Sequence, residues 1–222
     1  PKTVLKGPFS FVTTASGDAQ AQSIDVKLDF NGLTILIPKV FKKTASTPLV
    51  FKTQMRLNPR KIAIKNLDLQ LSAFKFKLQG HVLPRSGEIK LKGGAAPFAV
   101  HDIIPLAPSV RLPKGVKAKG HIGLDFKLYQ SASNLDMNTE LTLSKTNLNT
   151  PTARLIGDGK IKAVVKGNPK RDLYIRLLSQ LQGLDLKLGD TFDKPADVPL
   201  DLDIEVKQRE GRVDIPLFKL NF

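Results

Sequence analysis

Apolar and polar residues alternate strictly along much of the chain. Ile24–Phe30, Phe74–Leu78, Ile122–Leu128, Leu184–Leu188 and Leu200–Val206 each place an apolar side chain at every second position. Side chains of a strand alternate between its two faces, so each segment predicts a strand with one apolar and one charged side. Weaker versions occupy Leu67–Leu71, Ile89–Leu91, Leu141–Leu143, Ile161–Val165 and Phe218–Phe222. Turn signals separate them: Asn31-Gly32, Asn58-Pro59, Ser86-Gly87, Gly157-Asp158-Gly159, Gly167-Asn168-Pro169 and Glu210-Gly211. About a dozen or more short strands at this even spacing predict an all-β, mostly antiparallel fold. Asp172–Leu181 is read as a strand although Leu177 and Leu178 are adjacent.

Ala95–Pro113 breaks the rhythm. Pro97, Pro105, Pro108 and Pro113 are incompatible with a central strand, so this stretch is expected to be an irregular crossover near 97–113. Ala99–Ile104 could supply one short helical turn inside it.

An internal repeat follows from shifting the chain by 151 residues. Asn31-Gly32-Leu33 then falls on Gln182-Gly183-Leu184, and Phe41-Lys42-Lys43 on Phe192-Asp193-Lys194. Pro48-Leu49 falls on Pro199-Leu200, Ile64 on Ile215 and Leu69 on Leu220. The expected organisation is a first module over 1–151 and the start of a second over 152–222. The second copy stops at Phe222, the counterpart of Leu71, so the expectation is a longer array whose end strands pair onward.

A sheet with one apolar face must bury that face. It can pack on a second sheet, close as a barrel, or curl into a trough that holds an apolar ligand. Lys27, Lys75, Lys77, Lys127 and Lys187 lie on the charged side, where they read either as a solvated outer face or as attraction to an anionic membrane surface. Lys and Arg outnumber Asp and Glu by 35 to 20, giving +15. The excess is concentrated in 1–184, which is net +18, whereas 185–222 is net −3. Nucleic acid is the weaker partner, because Trp is absent and only Tyr129 and Tyr174 could join stacking platforms.

Candidate chemistry is sparse. The lack of cysteine excludes disulfides and thiolate sites. His81, His101 and His121 lie twenty residues apart, which matches no metal-ligand spacing. Gly157-Asp158-Gly159 lacks the third glycine and following helix of a phosphate loop. Asp201, Asp203 and Glu205 share one strand face as solvated charge. The expectation is a non-enzyme without cofactor or metal.

Phe192-Asp193-Lys194-Pro195-Ala196-Asp197-Val198-Pro199-Leu200, set between Gly183–Leu188 and the alternating Leu202, Ile204 and Val206, resembles the loop of AsmA-like bacterial envelope proteins. Phe41–Leu49 keeps the Phe, Lys, Ala, Pro and Leu of that loop but has Thr44 in place of its first proline. Leu106–Gly120 is similar to the family's link into a Gly-apolar strand. The resemblance implies a repeating β-groove: a long, twisted sheet curled around an open apolar interior. It further implies a periplasmic segment of an inner-membrane-anchored protein, with the anchor outside this sequence. Such a protein conducts phospholipids between the inner and outer membranes, its partners being acyl chains and the remainder of the same repeat protein. On that reading the groove-lining set is Val26, Leu28, Phe74, Phe76, Leu124, Phe126, Leu186, Leu202 and Ile204. The alternative is a non-catalytic structural or assembly scaffold of the envelope, its apolar faces packed on each other.

Overall fold

A computed structural model of the chain describes residues 2–18, 20–108, 117–150 and 152–221. Its strands are β1 (Val4–Lys6), β2 (Ser10–Gly17), β3 (Gln22–Asp29), β4 (Thr34–Ile37), β5 (Phe41–Lys43), β6 (Leu49–Asn58), β7 (Lys61–Leu71), β8 (Phe74–Leu83) and β9 (Glu88–Ala99). A single helical turn α1 (Val100–Ile103) and a 3₁₀ turn (Ile104–Leu106) follow. The chain continues through β10 (Lys117–Gln130), β11 (Leu135–Asn149), β12 (Ala153–Gly167), β13 (Asp172–Gln180), β14 (Leu184–Leu188), β15 (Phe192–Lys194), β16 (Asp201–Arg209) and β17 (Arg212–Asn221). Every strand pair between them is antiparallel. The all-β reading holds, and the ambiguous Asp172–Leu181 stretch is indeed strand.

One sheet dominates. Its path runs β2-β3-β6-β7-β8-β9-β10-β11-β12-β13-β16-β17, and its end strands do not pair, so it is not a closed barrel. Two short ribbons leave this path. β14–β15 attaches to the N-terminal half of β12, beside the half that β13 occupies. β4–β5 attaches to β1 as a separate three-stranded sheet.

The crossover prediction needs correction at its start. β9 continues to Ala99 and contains Pro97. Proline is tolerated there because β9 slips against β10 between Ala95 and Phe98, which makes a bulge, and pairing with β8 has already ended at Ala95. The helical turn follows at Val100–Ile103, inside the Ala99–Ile104 stretch expected to supply it. Residues 109–116, with Pro113, and Phe222 at the expected end of the second copy lie outside the described residues.

The repeat recurs as geometry. Leu5↔Ile35 is matched by Leu155↔Leu186, and Phe11↔Leu28 by Ile161↔Ser179. Phe51↔Leu69 is matched by Leu202↔Leu220, and Arg56↔Ala63 by Lys207↔Asp214. The shift is 150 residues before the turn joining β12 to β13 and 151 after it, because five residues separate the paired Gly167 and Leu173 where four separate Gly17 and Gln22. Gly7 and Gly157 occupy equivalent sites with φ of 116° and 122°; a Cβ at either would run into the carbonyl of Gly32 or Gly183, themselves equivalent.

Each copy is locked by a buried lysine. Lys43 and Lys194 are 0% and 1% exposed. The Lys43 ammonium donates to the carbonyls of Asn31 (3.3 Å), Leu33 (2.7 Å) and Thr44 (3.0 Å). Lys194 donates to those of Gln182 (3.3 Å), Leu184 (2.5 Å) and Pro195 (3.1 Å), the same three positions. An ammonium has three donors and no acceptor, so three carbonyls saturate it. Burial holds the Lys43 pKa below the ordinary lysine value, opposed by the negative charge of Asp29. Replacing Lys43 by Met keeps the volume but orphans three inward carbonyls, a cost of about 2–4 kcal/mol. Hydrogen exchange on Lys43→Met is expected to show lost protection in β4 and β5 with β10–β12 unchanged, and Lys194→Met the same in β14 and β15. Unchanged ribbon protection in both would refute the locking role.

Candidate functional site: the apolar face of the sheet

Directly opposed residues of neighbouring strands point to the same face. Following the register across the sheet therefore sorts its side chains. One row runs from Phe11 through Leu28, Phe51, Leu69, Phe76 and Ala95. It continues through Leu124, Leu141, Ile161, Ser179 and Leu202 to Leu220, having crossed all twelve strands of the path. The next row runs from Thr13 and Val26 through Thr53, Leu67, Leu78 and Gly93 to Phe126. It passes on through Thr139, Ala163 and Leu177 to Ile204 and Phe218. Neither row contains a charged residue.

Seven of the nine residues expected on this face lie in the two rows: Leu28, Phe76, Leu124 and Leu202 in the first, Val26, Phe126 and Ile204 in the second. Phe74 stands two residues before Phe76 on β8, with its ring 6.4 Å from that of Phe76 and 5.0 Å from that of Phe98. Leu186 lies elsewhere, on the side ribbon between Leu155 of β12 and Lys194 of β15. Sequence reasoning left out Phe11, Phe51, Leu69, Leu78, Leu141 and Leu177. The alternation around several of them is diluted by Thr, Gln or a second leucine, and pairing with a clear neighbour is what assigns the face.

The rows have low relief and satisfied polar groups. Gly93 of β9 lies opposite Leu78 and Phe126; a Cβ there would come within 3.1 Å of the Phe126 ring and 3.0 Å of Leu78. The bare backbone lets the Phe76 and Phe126 rings, from strands on either side of β9, approach to 6.2 Å in a stacked arrangement. The two buried hydroxyls of the rows bond back to the sheet. Thr53 Oγ1 donates to the Asn66 carbonyl at 3.1 Å, and Ser179 Oγ accepts from the Leu202 amide at 3.3 Å.

Most of this face is neither packed away nor fully open. Of the residues in the two rows, only Ala95, Thr53 and Ser179 are buried, and the central leucines and phenylalanines are half-buried. The buried hydrophobic residues among those described are Leu33, Ala95, Leu106, Leu184 and Leu200, a small set for a chain of this length. Inner faces of a packed two-layer sandwich would be buried.

The opposite face carries the charge, and it divides in two. On β12–β14 every basic residue is paired: Arg154, Lys160, Lys162, Lys166, Arg176 and Lys187 each have a carboxylate within 4.0 Å. Lys160 and Lys162 meet Glu140 at 2.6 and 3.3 Å, and Arg154 meets Asp185 at 2.9 Å. Arg176 grips both oxygens of Asp203 at 2.9 and 2.7 Å and lies 3.6 Å from Glu205. Among the described residues, no Lys or Arg before Arg154 has a carboxylate within 4.0 Å. The cationic excess of the sequence is thus borne, without ion pairing, by β3–β10.

The described residues include no group of three or more His, Asp or Glu placed to hold a metal. His81 lies 3.9 Å from Glu88 and His101 3.3 Å from Asp102. No helix of the described residues is long and apolar enough to cross a membrane. Comparison with protein-family models, with curated proteins and with solved structures returns no match.

Bidentate hydrogen bonding to Arg176 holds the Asp203 carboxyl below the ordinary carboxylate range, against a smaller opposing effect of burial. A depressed folded-state pKa stabilises above the unfolded value, and that contribution is lost as pH falls through the folded one. Carboxyl NMR should place the Asp203 midpoint below the ordinary aspartate value, and Arg176→Ala should return it toward the ordinary range. An unmoved midpoint in Arg176→Ala would assign the shift to another cause.

Proposed function

We propose that this chain binds phospholipid acyl chains along the apolar face of its sheet and is a periplasmic segment of a bridge that conducts lipid between the inner and outer membranes. The observation that carries the reading is the charge-free apolar row that crosses all twelve strands in unbroken register, half-covered rather than packed. Each methylene withdrawn from water contributes about 0.8 kcal/mol, so a two-chain lipid is strongly retained on such a surface. Many equivalent apolar contacts and no fixed polar anchor give retention without a single deep well, which suits movement along the sheet. The headgroup stays with water. The chemistry needs no proton transfer, nucleophile or metal, and the AsmA-like loops at Phe41–Leu49 and Phe192–Leu200 support the same assignment.

Leu124 and Asp125 test it, being adjacent in β10 and on opposite faces. Leu124 lies between Ala95 and Leu141, and Asp125 between Gly94 and Glu140. A photo-crosslinking residue at 124, in protein expressed in a Gram-negative periplasm, is expected to capture phospholipid that mass spectrometry identifies. The same residue at 125 is expected to capture none. Equal yields at the two positions would overturn the assignment of faces, and lipid at neither would replace the conduit with a packed envelope scaffold.

A further inference from the structure

The strands of the main sheet run from one rim of the apolar face to the other. The backbone layer separates that face from the charged one, so a lipid lying on it can place its headgroup in water only at a rim. The two rims differ in what they offer.

One rim is made of the six hairpin turns that join β2 to β3, β6 to β7, β8 to β9, β10 to β11, β12 to β13 and β16 to β17. The last row of the apolar face before these turns crosses all twelve strands, from Gly17 to Val213. In it half-buried Leu57, Ile62 and Ile89 share the row with the exposed amides of Gln22, Gln130 and Gln208. Beyond the row, the turns hold Arg60, Arg85, Lys170 and Arg171, all exposed and none with a carboxylate of the described residues within 4.0 Å. The acidic residues of the same turns are Asp18 and Glu210. The Asp18 carboxylate is engaged locally, accepting from the amides of Gln20 and Ala21 at 2.8 and 3.0 Å. Neighbouring hairpins are two strands apart, about 10 Å, so the cations recur about every 10–20 Å along this rim.

The other rim carries the side ribbons and the crossover. Among the described residues, its loops hold Lys39 against Asp102, Asp190 and Asp197. The cationic rim is therefore the one made of hairpin turns.

We propose that this turn rim receives the headgroup phosphates, with Arg60, Arg85 and Arg171 donating to phosphodiester oxygens of lipids whose chains lie on the apolar face. The cargo is then a phosphate-bearing lipid and not an uncharged one. This inference rests on the lipid reading above and adds the side on which headgroups travel and the class to which they belong. A guanidinium presents a fork of donors that matches phosphate oxygens. The dimensions agree. Phe126 stands four residues from Gln130, about 14 Å along the strand, and the chains of one leaflet fill about 15 Å of a 30 Å hydrocarbon core. Chains entering at the turn rim thus reach the Phe76–Phe126 stack. Ion pairs in water are weak, so exposed cations orient a headgroup without trapping it.

The test uses a photo-crosslinking residue at 128, on the apolar face between Leu91 and Met137. Phosphatidylglycerol and diacylglycerol with identical chains are offered in equal amounts in non-ionic detergent micelles, and mass spectrometry gives the ratio captured. In protein carrying Arg60→Gln, Arg85→Gln and Arg171→Gln together, the phosphatidylglycerol to diacylglycerol ratio is expected to fall about two- to five-fold, the range of an exposed ion pair. Lys75→Gln, Lys77→Gln and Lys92→Gln together remove the same charge from the opposite face and should leave the ratio at its original value. An unchanged ratio in the rim variant, or an equal fall in both variants, would overturn the rim assignment and leave the apolar path standing. Capture of neither lipid by the otherwise unaltered protein would overturn the path, and the rim with it.

Discussion

Everything in this sheet depends on register. A one-residue slip between antiparallel strands sends every apolar side chain of the slipped strand to the charged face. Over eleven successive pairings a single uncorrected slip would divide the apolar face in two. The chain contains several irregularities that would cause one, and each is matched to a break in the sequence pattern. In β7 the apolar positions run Ile62, Ile64 and then Leu67, Leu69, a change of parity. The bulge sits at the break, since Met55 faces Ile64 while Gln54 faces Asn66. In β11, Leu143 is followed by Thr146 and Leu148, and the bulge falls between Leu143 and Thr146. In β9, Ala95 and Phe98 flank the bulge that accommodates Pro97. The extra residue restores the phase, so side-chain pattern and backbone defect are one feature seen at two levels.

The buried lysines show how a wide sheet with a small core is made specific. A ribbon of three to five residues per strand cannot stabilise itself by burial. Here the loop entering β4, or β14, and the loop leaving β5, or β15, turn carbonyls toward a common point, where one ammonium satisfies three of them. An apolar side chain would leave those carbonyls unpaired, and a carboxylate would repel them. Buried charge of this kind contributes little net stability but penalises every arrangement that fails to assemble the cage. Its recurrence 151 residues later, in a ribbon whose other residues differ widely, argues that the cage is the constraint and the surrounding sequence the variable.

How much of this was legible in the sequence depends on the contrast along each strand. β3, β8, β10, β14 and β16 alternate apolar with charged residues, and their existence and faces follow directly. β2, reading Ser-Phe-Val-Thr-Thr-Ala-Ser-Gly, has no charged side, and β5 and β15 have only three residues each. These are defined by their partners. Leu186 is a related case: its alternation is as clear as that of Leu124, but period two says which residues share a face and nothing about where along the sheet the strand attaches, here beside Leu155 of β12. The upstream half of the repeat was hidden by the extra residue between the paired Gly167 and Leu173, which moves the shift from 151 to 150 and defeats any ungapped alignment. Lys43 and Lys194 were visible as a matched pair in the sequence, yet nothing in a Phe-x-Lys tripeptide distinguishes a caged ammonium from a solvated one. Two of the three carbonyls that distinguish them come from a loop ten to twelve residues away.

A conduit asks something different of a protein from what a binding site asks. A site gains by deep, specific contacts, whereas a path loses by them, because each deep contact is a well from which the cargo must escape. Along the two rows the variation that remains is of shape and not of charge: phenylalanines at Phe51, Phe76 and Phe126, small residues at Gly93, Ala95 and Ala163. The buried hydroxyls within them, of Thr53 and Ser179, both hydrogen-bond to the backbone. The strongest electrostatic features, the Arg176–Asp203 pair and the Glu140 cluster, are confined to the other face. Separating the two kinds of interaction onto opposite sides of one layer leaves a continuous charge-free surface, which is what the proposed path for hydrocarbon requires.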